Sequence, residues 1–292
     1  MNDFIRPQKL SEALNFAQGL SRKKVKVYFA AGTTDLYVQM KDNALSVPNV
    51  FIDISALDEL KKISAVGNLI SIGAGATFRE IINNSLCKKY LPLLVESARE
   101  IGSPLIRNRA TLGGNIANSS PAGDSIPPLV ALGASAVLRL GKSTRKVPIE
   151  KFFTGPKKNI LNKGELIEKV LIPKNNFNFH KFLKLGSRRA LAISKISLAV
   201  AAKITNGKVI SDIKIAAGAA GPTVIRCRKT EEFLASSQEE KGTQPLTPKI
   251  IAAARELISS EILPIDDFRS TARYRRQAAA GLLEEILLEI LS

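Results

Sequence analysis

One stretch limits the folds open to this chain more than any other. Over Ile106–Pro128 (IRNRATLGGNIANSSPAGDSIPP) neither a helical nor a strand period runs, and glycine, proline, asparagine and serine each occur three times in 23 residues. Its apolar residues look too sparse for core, so the expectation is one long loop, which inside a compact domain is functional or disordered. The flanks IGSPLI and LVALGASAVL are apolar and regular in pattern, which argues against disorder. Gly113, Gly114 and Asn115 are expected to leave backbone N–H groups free for an anion, with Arg107 and Arg109 close by.

A second glycine turn lies in AAGTTDLYVQMK (Ala30–Lys41), directly after the strand Val25–Ala30. An ordinary β-turn accounts for it as well as an anion-binding nest does. It is not GxGxxG, so a Rossmann assignment has no support. Two such cradles about 80 residues apart fit a dinucleotide pyrophosphate held from two sides.

The rest of the chain is periodic. Ser11–Leu20 reads as a helix with Ser11 at its N-cap. Asn49–Ser55 and Leu69–Gly75 read as strands, and helical spacing follows Thr77, a plausible cap, with Pro92 dividing two helices. Strands return over Ala134–Pro148 and Leu166–Pro173, and Asn175–Phe179 reads as a linker. Beyond it come three strands of an antiparallel meander, FLKLGSR, ISLAVAAKIT and KVISDIKIAAGAAG, with Asn206–Gly207 as a hairpin turn, and helices from about Thr247. The fold class expected is α+β, with a boundary near residue 176.

Composition narrows the chemistry. Lys and Arg number 43 against 26 Asp and Glu, and the excess of 17 falls within residues 101–228, which hold 22 basic and 5 acidic groups. Such a field draws polyanions. Nucleic acid is disfavoured: aromatics are 5%, tryptophan is absent, and no RNP-type or zinc-finger pattern occurs. A phosphate-bearing cofactor or an acidic partner subunit explains the charge equally well. One histidine, His180, argues against a histidine-based catalytic centre or a multi-histidine zinc site, and two cysteines, Cys87 and Cys227, are too few for an iron–sulfur cluster and are expected to be inert. Without a signal-peptide start or a membrane-length apolar run, the expectation is a soluble, cytoplasmic protein.

With these residues set out, the chain resembles the FAD-binding (medium) subunit of the molybdenum hydroxylases, the xanthine dehydrogenase and carbon monoxide dehydrogenase family. The resemblance runs over essentially the whole length. It is carried by AAGTTDLYVQMK, IDISALDELKKI, LISIGAGATFREI, IRNRATLGGNIANSSPAGDSIPPLVAL, FTGPKK, FLKLGSRRALAISKISLAVA and DDFRSTARYRRQAAAGLL. The family loop is commonly AGGTD, and here Thr33 stands in place of its second glycine.

The resemblance implies a PCMH (vanillyl-alcohol-oxidase) type FAD-binding domain over residues 1–176, built of two α+β subdomains at about 1–55 and 56–176. It also implies a smaller C-terminal α+β domain of the CO dehydrogenase flavoprotein type over residues 177–292, a three-stranded antiparallel sheet with helices. FAD contacts map onto Tyr28, Phe29, Ala30, Ala31, Gly32, Thr33, Thr34, Asp35 and Leu36, onto Thr111, Gly113, Gly114 and Asn115, and onto Ala117, Asp124, Leu166 and Lys184. Taken alone, Asp124 reads as a turn cap, Leu166 as a core strand residue and Lys184 as a solvated surface lysine. Arg273 and Tyr274 read as packing and domain-docking residues.

The function implied is electron transfer within an oxidoreductase. A large subunit would carry the molybdenum cofactor, a small subunit two [2Fe–2S] clusters, and this chain the FAD that passes electrons to NAD+ or another acceptor. The basic middle segment would stabilise the reduced anionic flavin. A self-contained flavin oxidoreductase and a basic binding module without flavin are the alternatives.

Overall fold

The structure is a computed structural model that describes the 292-residue chain except residues 1–2, 24, 43–48, 206–208 and 240–245. The expected Asn206–Gly207 hairpin turn lies outside the described residues.

Three sheets organise the chain. The first is parallel, in the order β1-β3-β2: β1 (Asp3–Ile5), β2 (Lys26–Ala30) and β3 (Asn49–Asp53). Between its strands run α1 (Leu10–Arg22) and α2 (Thr34–Lys41). Helix α1 buries Leu10, Ala13, Leu14 and Ala17, an i, i+3, i+4, i+7 stripe, against Ile52, Ile54, Leu57 and Leu60. It begins at Leu10 with Lys9 at the N-cap, not at Ser11. A distant residue supplies what the serine was expected to give: the Leu10 amide donates to the Glu59 carboxylate at 3.1 Å, and Gln8 N–H to Glu12 at 2.8 Å.

The second sheet holds β4 (Ile63–Val66), β5 (Leu69–Gly73), β6 (Ser135–Leu140), β7 (Ser143–Pro148) and later β10, all antiparallel in the order β4-β5-β10-β6-β7, where β10 is Leu166–Pro173. Helices α3 (Phe78–Asn83), α4 (Ser85–Tyr90), α5 (Pro92–Arg99), α6 (Pro104–Arg107), α7 (Leu112–Asn118) and α8 (Ile126–Ala131) lie between β5 and β6. Thr77 caps α3 in a reciprocal box with Glu80, and Pro92 opens α5. A two-stranded ribbon, β8 (Phe153–Gly155) with β9 (Lys158–Asn159), precedes β10.

The stretch Ile106–Pro128 is therefore not one long loop. It folds into α7, the end of α6 and the start of α8, and its few apolar side chains suffice because Leu112, Ile116 and Ile126 are all buried. Thr111 pairs with Thr77 across an antiparallel bridge, which stitches the segment to the end of β5.

The third sheet is antiparallel, β11 (Phe179–Leu185), β12 (Ile196–Thr205), β13 (Val209–Gly218) and a short β14 (Ile225–Arg226), in that order. It is covered on both faces, which explains why ISLAVAAKIT reads as a continuous apolar run. Ile196, Leu198, Val200 and Ala202 face α9 (Arg228–Glu239), α10 (Pro248–Glu261) and α11 (Ala272–Leu291), whereas Ala199 and Ala201 join the core beneath α5 and α8. The meander has four strands where three were expected, and α9 was also missed. A two-residue strand carries no period, and α9 sequesters mainly Thr230, Glu231 and Leu234. Among the described residues no helix is long and apolar enough to cross a membrane.

Candidate functional site

The two glycine loops meet. A Cβ on Gly32 would lie 1.9 Å from the Arg109 carbonyl oxygen, so only glycine lets the loop after β2 touch the chain entering α7. Thr33 sits at φ 61°, the left-handed region where the usual glycine would be unstrained, and its hydroxyl donates to the Gly32 carbonyl at 2.8 Å. That hydroxyl consequently does not cap α2. Among the described residues the amides of Thr34, Asp35 and Leu36 have no acceptor within the chain. They open α2 with free donors and the positive end of its dipole.

The second loop differs from expectation. The amides of Gly113, Gly114 and Asn115 are not free: Gly113 donates to Ala74 O at 2.8 Å, Gly114 to Thr111 Oγ1 at 3.1 Å and Asn115 to Thr111 O at 3.0 Å. Pairing with the end of β5 and helix formation consume them. The glycines serve steric ends instead. A Cβ on Gly113 would fall 2.5 Å from the Ala74 Cβ, whereas one on Gly114 would approach only Thr111 Oγ1, at 2.9 Å, and otherwise enter the cleft.

That cleft has two adjoining chambers sharing Tyr28, Phe29, Ala31, Gly114 and Ala117 as lining. The polar chamber, about 410 Å³, is bounded by Gly32, Thr33, Thr34, Asp35, Leu36, Thr111 and Asn115. The apolar chamber, about 560 Å³, is bounded by Val25, Val27, Ile54, Ala74, Gly113 and Leu166. Tyr28 presents a buried hydroxyl without a hydrogen-bond partner among the described residues. Free amides at one end and an apolar chamber at the other fit a dinucleotide carrying a pyrophosphate and an aromatic base.

Sequence reading missed several neighbours. Lys157, Asn118 and Gln39 line the polar chamber, with Gln39 Nε2 bonded to Asn118 Oδ1 at 3.2 Å. Burial pushes the Asp35 carboxyl up, opposed by Lys157 and Asn118. Leu161, Asn162, Lys163, Gly164 and Glu165 wall the apolar chamber. Glu165, 3% exposed, accepts from Arg145 Nε at 2.8 Å, Arg145 Nη2 at 2.7 Å and Asn162 N–H at 2.8 Å. Burial alone would raise its carboxyl; the Arg145 and Asn162 bonds outweigh that and hold it below its ordinary range. FTGPKK was the one sequence signal pointing to Lys157.

Three expected contacts lie outside both chambers. Ala30 is buried in β2 behind the loop. Asp124 and Lys184 bind each other at 2.8 Å, with Ser194 Oγ donating to Asp124 at 2.6 Å and Lys184 to Glu100 O at 2.8 Å. Asp124 is thus no turn cap, and Lys184, whose side chain is 7% exposed, is no solvated lysine. Burial raises the Asp124 carboxyl against the pull of Lys184. The pair adjoins the cleft through Ser125, whose hydroxyl donates to Asn115 Oδ1 at 2.7 Å. Farther away, Arg273 is exposed and the buried arginine of STARYRR is Arg275. Both cysteines are buried, and burial pushes the Cys87 thiol up to about 12.

A parallel β-α unit and an antiparallel sheet enclosing such a cleft define a protein that binds a dinucleotide cofactor. Residues 1–175 match the FAD-binding domain of molybdopterin dehydrogenases, and residues 181–290 match the CO dehydrogenase flavoprotein C-terminal domain. The chain belongs to the FAD-binding medium-subunit family of the molybdenum hydroxylases, an oxidoreductase family. It is 30% identical to the nicotinate dehydrogenase FAD-subunit of Eubacterium barkeri, with 99% of this chain and 96% of that one covered. It is 31% identical to the glyceraldehyde dehydrogenase medium chain of Sulfolobus acidocaldarius, covering 98% and 97%. A structure of carbon monoxide dehydrogenase from Hydrogenophaga pseudoflava superposes with TM-score 0.87 at 26% identity, over 97% of this chain and 94% of that one.

Proposed function

We propose that this chain is the electron-transfer flavoprotein subunit of a molybdenum hydroxylase complex. It would take electrons from [2Fe–2S] clusters on a small partner subunit, fed by a large molybdenum-cofactor subunit, and deliver them to NAD+ or another acceptor. FAD, when bound, supplies the exchange between one- and two-electron chemistry that no side chain offers.

The observation that carries the reading is the run of free amides at Thr34–Leu36 opening onto a chamber that adjoins an apolar one. Those amides, with Lys157 beside them, would hold the pyrophosphate; Gly114 leaves room for it; Leu166 and its neighbours would exclude water around an aromatic ring. Asp124 and Lys184 would fix the end of the site beyond Asn115 as a pair. Residues 1–176 would form the flavin domain and residues 177–292 a smaller unit packed against it. The two carboxylates lining the cleft are already engaged, Asp35 beside Lys157 and Glu165 by Arg145, which supports binding and tuning a cofactor over acid–base catalysis on a substrate of its own.

The test compares the FAD-loaded chain alone with the complex co-expressed from all three subunits. Substrate should bleach the flavin absorbance only in the complex. Turnover of an organic substrate by the isolated yellow chain would establish a self-contained flavoenzyme instead.

A further inference from the structure

The loop Ile160–Glu165 walls the apolar chamber, and what anchors it is an ion pair. It contains no helix or strand, and its one buried residue is Glu165; Ile160 and Leu161 are half-buried, Asn162 and Lys163 exposed. Apolar packing therefore supplies little of its anchorage. Arg145 supplies the rest from outside. This arginine stands on β7, the edge strand of the second sheet, lines neither chamber and keeps its side chain 40% exposed.

The Arg145 guanidinium grips both Glu165 oxygens as a fork, and its Nη2 also donates to Ile160 O at 2.7 Å. One side chain thus ties the first residue of the loop to the last. Glu165 closes the interior: it accepts from Asn162 N–H at 2.8 Å, while its own amide donates to Asn162 O at 3.0 Å. At the tip Gly164, at φ 76°, rests on α1, where a Cβ would lie 2.8 Å from Ser21 Oγ. The loop is consequently held between the second sheet and the helix that covers the first. A buried ion pair is a weak source of stability, because desolvation offsets most of the attraction. Its directional bonds fix geometry instead.

We infer that Arg145 is a positioning residue for the cofactor: acting through Glu165 and the Ile160 carbonyl, it holds the loop in the shape that receives the adenine ring of FAD in the apolar chamber. The inference rests on the flavin reading above. A wall set before binding loses little freedom when the ring arrives, so loosening it should appear as weaker binding. Lysine is no equivalent, since an ammonium is a point charge and cannot present a planar fork to a carboxylate and a carbonyl together.

Calorimetric titration of the flavin-free chain with ADP and with inorganic pyrophosphate separates the two chambers, because pyrophosphate carries no ring. Arg145→Gln should weaken ADP by about 10-fold, and FAD with it, while pyrophosphate changes by less than about twofold. Arg145→Lys keeps Glu165 paired, so it folds even where the glutamine variant strands a buried charge and does not. It should still weaken ADP, by about 3-fold, for want of the fork. A merely structural role would lower the melting temperature and leave ADP affinity, measured well below the melting range, at its wild-type value in every variant that folds. That result would overturn the proposal, as would equal losses for ADP and pyrophosphate. A wild-type chain that binds neither FAD nor ADP would instead remove the flavin reading on which the inference rests.

Discussion

At the scale of single residues, neighbouring glycines have separable roles. Gly113 is pressed on Ala74, so Gly113→Ala should lower stability by about 1–3 kcal/mol through overpacking, measurable by denaturant unfolding of the flavin-free chain. Gly114→Val should also cost stability, through its 2.9 Å approach to the capping Thr111 hydroxyl, and should in addition weaken FAD, because the rest of its side chain enters the cleft. Equal FAD affinities for Gly114→Val and for Gly19→Val, a change at an exposed glycine of α1, would remove Gly114 from the site. Glu165 gives a pH dependence of definite sign. Its folded carboxyl lies below the ordinary 4.5, so its contribution is complete above that value and drains away as pH falls through the lower folded one. As pH falls below about 4.5 the wild type should lose stability more steeply than Glu165→Gln. The residue types of both loops suggested anion cradles; what they could not show was which amides remain free. Gly113 and Gly114 spend theirs on Ala74 and Thr111, and the Ala74 partner lies 39 residues away in sequence, beyond any local pattern. Lys157 and Asn118 enter by the same long-range folding.

At the scale of elements, local rules held where local bonds decide. Thr77 caps α3 as expected, and Thr77→Ala should cost about 1 kcal/mol. Gly281 lies mid-helix in α11, exposed and with nothing within 4 Å of a built Cβ. Gly281→Ala should therefore stabilise by about 0.5–1 kcal/mol, seen as a higher melting temperature. Where a distant group takes over, sequence failed, as with Glu59 supplying the start of α1 in place of Ser11. The buried Arg275 was recoverable: it shares a helical face with Ala279, Leu282, Leu283 and Ile286, all buried, whereas Arg273 does not. The length of Ile106–Pro128 misled because three short helices carry too few turns to show a period.

At the scale of the whole molecule, the third sheet is buried on both faces and tied to the helices beside the cleft by Asp124 and Lys184. Breaking a buried pair from one side strands a charge. Lys184→Met should cost about 3–5 kcal/mol in the flavin-free chain, and adding Asp124→Asn should recover much of it, where independent losses would instead add. The exposed Arg228–Glu150 pair, 52% and 38% exposed, should contribute little by comparison. These ties hold the third sheet against the region that carries the cleft, to whose lining it adds no residue among those described, and the central claim is that this cleft takes a dinucleotide flavin. Calorimetric titration of the flavin-free chain with FAD and with FMN tests it most directly. The account predicts one FAD per chain, bound about 100-fold more tightly than FMN because the amides at Thr34–Leu36 and the apolar chamber act on the adenylate half. Equal affinities for FAD and FMN, or no binding of either, would contradict it.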